Sequence, residues 1–506
     1  MKESLIACFE NICKKYSKKV AIQTKYNSIT FAELHEKVLL IARCIYTQTK
    51  GRTRIPVFVY LPKSENCVAG LLGVLYSGNY YTITDIKFPF HKVEGILEEL
   101  QPEIYLTDEK NANKLVENGI SQEKIICVDL LSGDYNNVNM GGIVSDVSLL
   151  DPAYVLFTSG STGKPKGAII THLNLLNFIE WLHMDYGITE HNIFGNSAEF
   201  YFDLSCFDLY SMIGCGSTLN IIPRTLFTFP EKLMQYVAQK KINTIAWVPS
   251  ALVAVANADA LKGVDVSCME LVIFCGEVMP TVHFNYWWDI LPEVKYINAY
   301  GPTETTCACC YFSVVHKYDV NSALPIGKKN ENVCCNTRIL ILNEDGGTAD
   351  VNEVGEICVA GGAVGLGYYG DNLKTDAVFV QNPLNKKYSE KIYRTGDLAY
   401  YNESEELMYV GRKDFQVKYK GYRIELGEIE AVVYSCNRIK QVGIVFDEEI
   451  VLAYVGDIKE TDLQKYMKEY LPSYMIPSKY MKLQEMPLNQ NGKVDRDKIK
   501  RLARNE

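Results

Sequence analysis

The sequence predicts an α/β protein: a large N-terminal domain of two doubly wound α/β subdomains plus a small β-barrel, followed by a C-terminal α+β domain. Three observations predict it. Short apolar runs alternate with helical periodicities through the first third of the chain and again from Asn192 to about Ala299. That succession builds mostly parallel sheets with helices on both faces. From about Pro325 short strands separated by Gly and Asn/Asp turns take over, the texture of a small barrel. At 506 residues the chain is also too long for one hydrophobic core.

The elements follow in order. Met1 to Cys13 carries acidic residues through an apolar stripe, which makes an amphipathic helix rather than a signal peptide. Thr30-Phe-Ala-Glu33 is a capping box, opening a helix whose apolar face is Phe31, Leu34, Val38, Ala42 and Ile45. Ile55 to Tyr60 reads as a strand, Cys67 to Tyr76 as a helix and Tyr80 to Thr84 as a strand. His91 to Leu100 is a helix, Ile104 to Thr107 a strand, Tyr154 to Phe157 a buried strand and Leu173 to Leu182 a helix. Beyond Asn192, Leu219 to Ile222 and Thr244 to Trp247 read as strands around a helix at Pro230 to Gln239. Arg338 to Leu342 and Val354 to Ala360 are strands of the barrel-like region. A compact tail follows Gly411-Arg-Lys-Asp414, so the boundary falls between domains 1–412 and 413–506.

Composition excludes several classes of function. With 47% hydrophobic and 22% charged residues the chain reads as an ordinary globular protein. A formal net charge of −9 opposes binding to nucleic acid or to an anionic membrane surface. No apolar span is long enough to cross a bilayer. Sixteen cysteines without a secretion signal point to reduced thiols and a cytoplasmic location. Cys307, Cys309 and Cys310 lie close together, but lack the paired spacing and nearby histidine of a zinc site. A monomer is expected.

The densest local signal is Thr158-Ser-Gly-Ser-Thr-Gly-Lys-Pro-Lys-Gly167, between the strand ending at Phe157 and the helix from Leu173. Glycines, hydroxyls and lysines together make a cationic loop rich in free backbone N–H groups, suited to gripping a polyphosphate. It is not the P-loop of kinases and GTPases, because Pro165 follows Lys164 where that motif has Ser or Thr. A solvated linker has the same composition.

Five further clusters follow in order: Phe202-Asp-Leu-Ser205, Asn298-Ala-Tyr-Gly-Pro-Thr-Glu304, Tyr393-Arg-Thr-Gly-Asp397, Gly411-Arg-Lys-Asp-Phe-Gln-Val-Lys418 with Gly421-Tyr-Arg-Ile-Glu425, and Asn491-Gly-Lys493. With the first loop they resemble the core motifs of the adenylate-forming superfamily, which includes peptide-synthetase adenylation domains, acyl-CoA ligases and luciferases. Adenylation, in which a carboxylate attacks the α-phosphate of ATP, is a problem of positioning and charge neutralisation. Each cluster suits it. Tyr300 offers a face for adenine, Asp397 two acceptors for a ribose diol and Arg412 a hydrogen bond beside it. Glu304 suits Mg²⁺, which takes few protein ligands and several phosphate oxygens. Lys493 could bridge the acyl oxygen and the α-phosphate. Taken singly, Gly301-Pro302 is also a plain turn and Asp397 a turn cap.

The resemblance implies an ATP site of Thr158, Ser159, Gly160, Ser161, Thr162, Gly163, Asn298, Ala299, Tyr300, Gly301, Pro302, Thr303, Asp397, Tyr409, Arg412 and Lys493. It implies catalytic roles for Lys493, Glu304 and Lys166, with Mg²⁺ at Glu304. It also implies a mobile C-terminal domain swinging about Asp414. Lys493 would serve adenylation, and the face carrying Gly421 to Glu425 would serve thioester formation.

Asp203 matches the aspartate that pairs with the substrate ammonium in amino-acid-activating members; the alternative is an N-terminal cap for a helix from Leu204 to Ile213. The resemblance carries the side-chain pocket onto Asp203, Leu204, Phe207, Ala246, Ile273, Cys275, Ala299, Cys307 and Ala308, which favours a small or medium uncharged amino acid. Phe274-Cys-Gly-Glu-Val278 and Asp203 to Tyr210 resemble the D-alanine–carrier protein ligases, whose product feeds lipoteichoic acid modification. Phe207, Ala246 and Cys307 depart from that pattern. No carrier segment and no His-His-x-x-x-Asp motif occurs in the chain, so a phosphopantetheinylated carrier protein is expected in trans, or coenzyme A in its place. The rival readings are a stand-alone adenylation enzyme of nonribosomal peptide synthesis, an acyl- or aryl-CoA ligase, which would generally lack Asp203, and a non-catalytic nucleotide-binding descendant.

Overall fold

The computed structural model describes residues 4–131, 140–158, 164–413, 416–488 and 494–504. The chain divides into two compact units. The first holds Met1–Ile86, Leu100–Leu156 and Gly167–Lys413; the second holds Lys87–Glu99, Phe157–Lys166 and Asp414–Glu506.

An eight-stranded sheet runs in the order Cys310–Val314, Lys295–Tyr300, Leu271–Cys275, Thr244–Trp247, Ile193–Asn196, Thr218–Ile221, Val20–Gln23 and Ser28–Thr30. Its six inner strands are parallel and both edge strands antiparallel. A seven-stranded sheet orders Gly367–Tyr368, Lys166–Thr171, Pro152–Thr158, Tyr80–Ile83, Pro56–Tyr60, Ile104–Thr107 and Ile125–Cys127. The region expected as a small barrel is an antiparallel sheet of Gly327–Lys328, Glu406–Arg412, Lys391–Tyr401, Gly355–Gly361 and Thr337–Leu342, with Phe379–Gln381 paired to Lys391–Tyr401. The second unit contains the hairpin Gln416–Tyr419/Tyr422–Glu425, a three-stranded sheet from Ile439–Asp447, Glu449–Gly456 and Lys479–Lys482, and the helices Leu426–Tyr434, Glu460–Tyr470 and Arg496–Arg504.

Local chemistry sets the helix starts. Thr30 and Glu33 form the reciprocal capping box at the head of Phe31–Gln48, so two otherwise orphaned backbone donors are satisfied. Thr171 and Asn174 do the same for His172–Trp181. That helix runs on beyond the expected end through a π-helical turn, Leu182–Tyr186, and stops at Gly187, whose φ of 79° is a left-handed conformation natural to glycine.

Alternation along the parallel strands divides the core. Ala246, Ile273, Cys275, Ile297 and Ala299 join a cluster with Phe178, Trp181, Tyr186, Leu204 and Phe207. Ile245, Trp247, Val272, Phe274 and Tyr296 join a separate cluster with Leu252 and Trp287. Among the described residues no helix is long and apolar enough to cross a membrane.

Candidate active site

Three sequence-distant segments of the first unit meet around Asp397. This residue lies on Lys391–Tyr401, is 1% exposed and stands opposite Arg412 in the antiparallel register. Its Oδ1 accepts from Arg412 Nη1 at 2.9 Å and from the Tyr409 hydroxyl at 3.4 Å. Its Oδ2 accepts from the Tyr300 hydroxyl at 2.5 Å. A carboxylate offers about four lone-pair sites, so the network holds Asp397 in place without exhausting its acceptors. Burial pushes the Tyr300 phenol well above its ordinary pKa, and the Asp397 carboxylate adds to the shift.

Tyr300 ends the strand Lys295–Tyr300, which also carries Asn298 and Ala299. The Asn298 side-chain amide donates to the Pro325 carbonyl at 2.7 Å. A Cβ on Gly301 would stand 2.5 Å from the Ala308 Cα and 2.8 Å from the Cys307 carbonyl, so glycine is needed for the chain to leave the strand here. Pro302 and the turn Thr303–Thr305 then bury Glu304, 1% exposed, whose Oε1 accepts from the Tyr368 hydroxyl at 2.7 Å. Thr306 and Cys307 follow with φ of 60° and 70°. Left-handed conformations cost free energy for such residues, and this pair is held by the Thr306 hydroxyl donating to the Ala363 carbonyl at 2.7 Å.

That strained loop delivers Cys307 and Ala308, both buried, beside Cys275. Ala246 pairs with Ile273, and Cys275 with Ala299, so the four share one face of the sheet at adjacent strand ends. Phe207 is fully buried and packs edge-on against Phe178. Asp203 is half-buried at the start of the short turn Asp203–Ser205. The helix after it is Cys206–Cys215 with Ser205 at the N-cap position, where the Ser205 side chain makes no capping hydrogen bond. Burial drives the Cys307 thiol well above its usual pKa, with the Asp203 carboxylate the next cause, and the turn Asp203–Ser205 lies against the strand Thr244–Trp247. The arrangement is a small, mostly apolar wall with one anion at its edge.

In the second unit Thr158 ends one strand and Lys166 begins the next. Lys166 Nζ lies 3.3 Å from Glu425 Oε1, which also accepts from Gln416 at 2.6 Å. Ser159, Gly160, Ser161, Thr162, Gly163, Asp414 and Lys493 lie outside the described residues.

Sequence reasoning missed several supporting groups. Tyr368, the partner of Glu304, sits in an unremarkable Gly-Tyr pair. Glu356, 4% exposed, accepts from Arg394, from Lys413 at 3.1 Å and from the Gly396 N–H at 3.1 Å, clamping the segment that carries Asp397. Burial alone would raise its pKa, yet the hydrogen bonds from Arg394 and Lys413 hold it below the usual value. Asp208 is fully buried on Cys206–Cys215 and accepts from the Asn196 amide at 2.5 Å. Burial pushes its carboxyl up to about 7. An acidic residue amid an apolar helix was the available signal.

Residues 9–369 match the AMP-binding enzyme family. Tyrocidine synthase 1 of Brevibacillus parabrevis is 31% identical over 507 residues, covering 98% of this chain and 44% of that protein. The D-alanine--D-alanyl carrier protein ligase of Bacillus licheniformis is 30% identical over 510 residues, covering 96% of this chain and 98% of that protein. The Vibrio cholerae adenylation domain AlmE, solved with glycyl-adenosine-5'-phosphate, shares the fold at a TM-score of 0.86 and 21% identity, over 100% of this chain and 98% of that one. The chain spans under half the length of several curated relatives: 44% of tyrocidine synthase 1 and of gramicidin S synthase 1, and 19% of a mycosubtilin synthase of Bacillus subtilis. With a family match over well more than half its length, and with a ligase of nearly equal extent at 30% identity, the chain belongs to the AMP-binding enzyme family, the adenylate-forming superfamily that its six motifs resemble.

Proposed function

We propose that this chain activates a small, uncharged amino acid with ATP and passes the acyl group to the phosphopantetheine thiol of a separate carrier protein. In the first step a carboxylate oxygen of the amino acid bonds to the α-phosphorus and pyrophosphate leaves. In the second the thiol sulfur bonds to the carbonyl carbon and AMP leaves. The observation that carries the reading is Asp203, an anion beside the short, apolar wall of Ala246, Ile273, Cys275, Ala299, Cys307 and Ala308. A half-buried carboxylate there is matched by an α-ammonium, and small wall residues suit a small side chain.

The remaining roles follow the chemistry of each group. Asp397 accepts from the ribose hydroxyls, held by Tyr300, Tyr409 and Arg412. Tyr300, Asn298 and Ala299 border adenine. The loop Thr158 to Gly163 with Lys166 grips phosphate oxygens. One buried carboxylate, Glu304, fits Mg²⁺, whose other positions go to phosphate and water; the ion would offset charge on the leaving pyrophosphate. Lys493 steadies the carboxylate against the α-phosphate, and Asp414 is the hinge between domains 1–412 and 413–506. A cytoplasmic setting agrees with sixteen free cysteines.

D-alanine is the first candidate substrate, supported by the likeness to the D-alanine--D-alanyl carrier protein ligase and by Cys275, and a D-alanyl thioester would serve lipoteichoic acid modification. A different small residue for a peptide pathway is favoured by Phe207, Ala246 and Cys307, which depart from the D-alanine pattern. Amino-acid-dependent pyrophosphate release, surveyed over D- and L-amino acids, tests the reading. One small uncharged amino acid should exceed the rest by at least roughly tenfold. Stimulation by fatty or aryl acids alone would overturn it.

A further inference from the structure

The activation chemistry leaves a buried hydroxyl beside the pocket unused. Tyr186 closes the π-helical turn Leu182–Tyr186, a local register that recurs at functional sites. It is 3% exposed. Its ring stacks on Phe207 at 6.0 Å and 23°, meets Tyr311 edge-on at 4.8 Å and lies 5.0 Å from Trp181. Its hydroxyl has no hydrogen-bond partner among the described residues. Tyr311 is the register partner of Ala299, which pairs in turn with Cys275, so the Tyr186 ring packs against the sheet face that carries both.

A phenylalanine would fill this space without burying an unpaired donor, which is a cost that native interiors avoid. Thiols are weak acceptors and do not repay it. The hydroxyl is therefore aimed at something that arrives. We propose that Tyr186, its ring stacked on Phe207 and edge-on to Tyr311, is a specificity-determining residue whose hydroxyl hydrogen-bonds the polar end of the substrate side chain. This favours the second of the two substrate readings above over D-alanine: a small amino acid bearing a hydroxyl or carboxamide rather than the methyl of alanine. This rests on the reading of the Asp203 site as an amino-acid pocket. A site built to hydrogen-bond its substrate rejects the analogue lacking that group, because its own polar atom is then left unpaired.

Isosteric pairs test it with the full-length chain: threonine against valine, asparagine against leucine, and serine against alanine, in both enantiomers, by pyrophosphate exchange. Wild type should favour the hydrogen-bonding member of at least one pair by at least roughly tenfold in kcat/KM. Tyr186→Phe should shrink that ratio to within about threefold, chiefly by losing activity with the polar member. Preference for the apolar member in every pair, or an unchanged ratio in Tyr186→Phe, would overturn the proposal. Should the variant not fold, the wild-type ratios decide alone. Exchange with no amino acid at all would overturn the amino-acid reading itself and this assignment with it, an outcome distinct from exchange without polar preference.

Discussion

Replacing Asp397 by asparagine separates binding from scaffolding at the nucleotide side of the site. The donors to Asp397 come from two segments: Tyr300 at 2.5 Å, and Arg412 at 2.9 Å with Tyr409 at 3.4 Å from the strand Glu406–Arg412. An asparagine of the same shape can keep its amide oxygen on Arg412 and turn its NH₂ toward Tyr300, whose hydroxyl can rotate to accept. No polar atom is orphaned, but the Arg412 guanidinium, with a side chain only 10% exposed, loses its anion. Hydrogen bonds to charged groups contribute about 1.5–3 kcal/mol against about 1 for neutral ones. The loss is then about 1–2 kcal/mol in stability, well short of the roughly 3–5 that deleting one partner of a buried pair costs. For ATP, two ribose hydroxyls each exchange a charged acceptor for a neutral one, about 1 kcal/mol apiece. That sums to roughly 10–50-fold weaker binding. Equilibrium ATP titration and thermal unfolding of the same preparation measure both. ATP affinity within threefold of wild type, alongside a lowered Tm, would refute ribose contact and leave Asp397 a strand-to-strand staple.

Asp203→Asn should raise the KM for the amino acid by roughly 10²-fold, at about 2–3 kcal/mol for an ammonium left beside a neutral amide in a half-buried setting. ATP binding should change little; activation within threefold of wild type would remove the ammonium assignment and leave Asp203 a capping residue. His172 is 2% exposed, and burial holds its imidazole down at about 4, the Asp151 carboxylate acting weakly the other way. Its unfolded value is about 6.5, so below that pH the unfolded chain takes up a proton that the folded chain refuses until about 4. Stability should fall by about 3 kcal/mol as pH drops through this window. Tm measured against pH should decline less steeply in His172→Gln; parallel profiles would contradict the assignment.

Elements governed by neighbouring residues were legible in the sequence. Thr30 and Glu33 announce their helix because the capping box needs only residues three apart. Ile104–Thr107 and Thr244–Trp247 are buried strands bounded as the apolar runs predict. Motif order identified the family because six clusters had to agree. What stayed hidden was pairing at long range. Tyr300 reaches Asp397 across 97 residues and Tyr368 reaches Glu304 across 64. Hydrophobic periodicity says which face of an element is buried, not which hydroxyl will stand opposite it. The left-handed backbone at Thr306 and Cys307 was equally silent, since neither residue type announces a positive φ.

The same limit explains why pocket and packing core could not be told apart along the inner strands. A parallel strand covered on both faces reads as a continuous apolar run, as Leu271–Cys275 does, with all five residues buried. Register resolves it. Ile273 and Cys275 look with Ala246 and Ala299 toward Phe207 and Tyr186, while Val272 and Phe274 look with Trp247 and Tyr296 toward Trp287. Volume removed at Phe274 would be lost from a packed interior, where relaxation is partial and the cost is several kcal/mol. If the proposed pocket is correct, volume removed at Cys275 would instead be ceded to the substrate, where a larger side chain can take it up. On the proposed function one strand would carry two kinds of selection in alternate residues, stability on one face and choice of amino acid on the other. Tyr186, which no motif marks, joins that second face only in the folded chain, where its ring meets Phe207 and Tyr311.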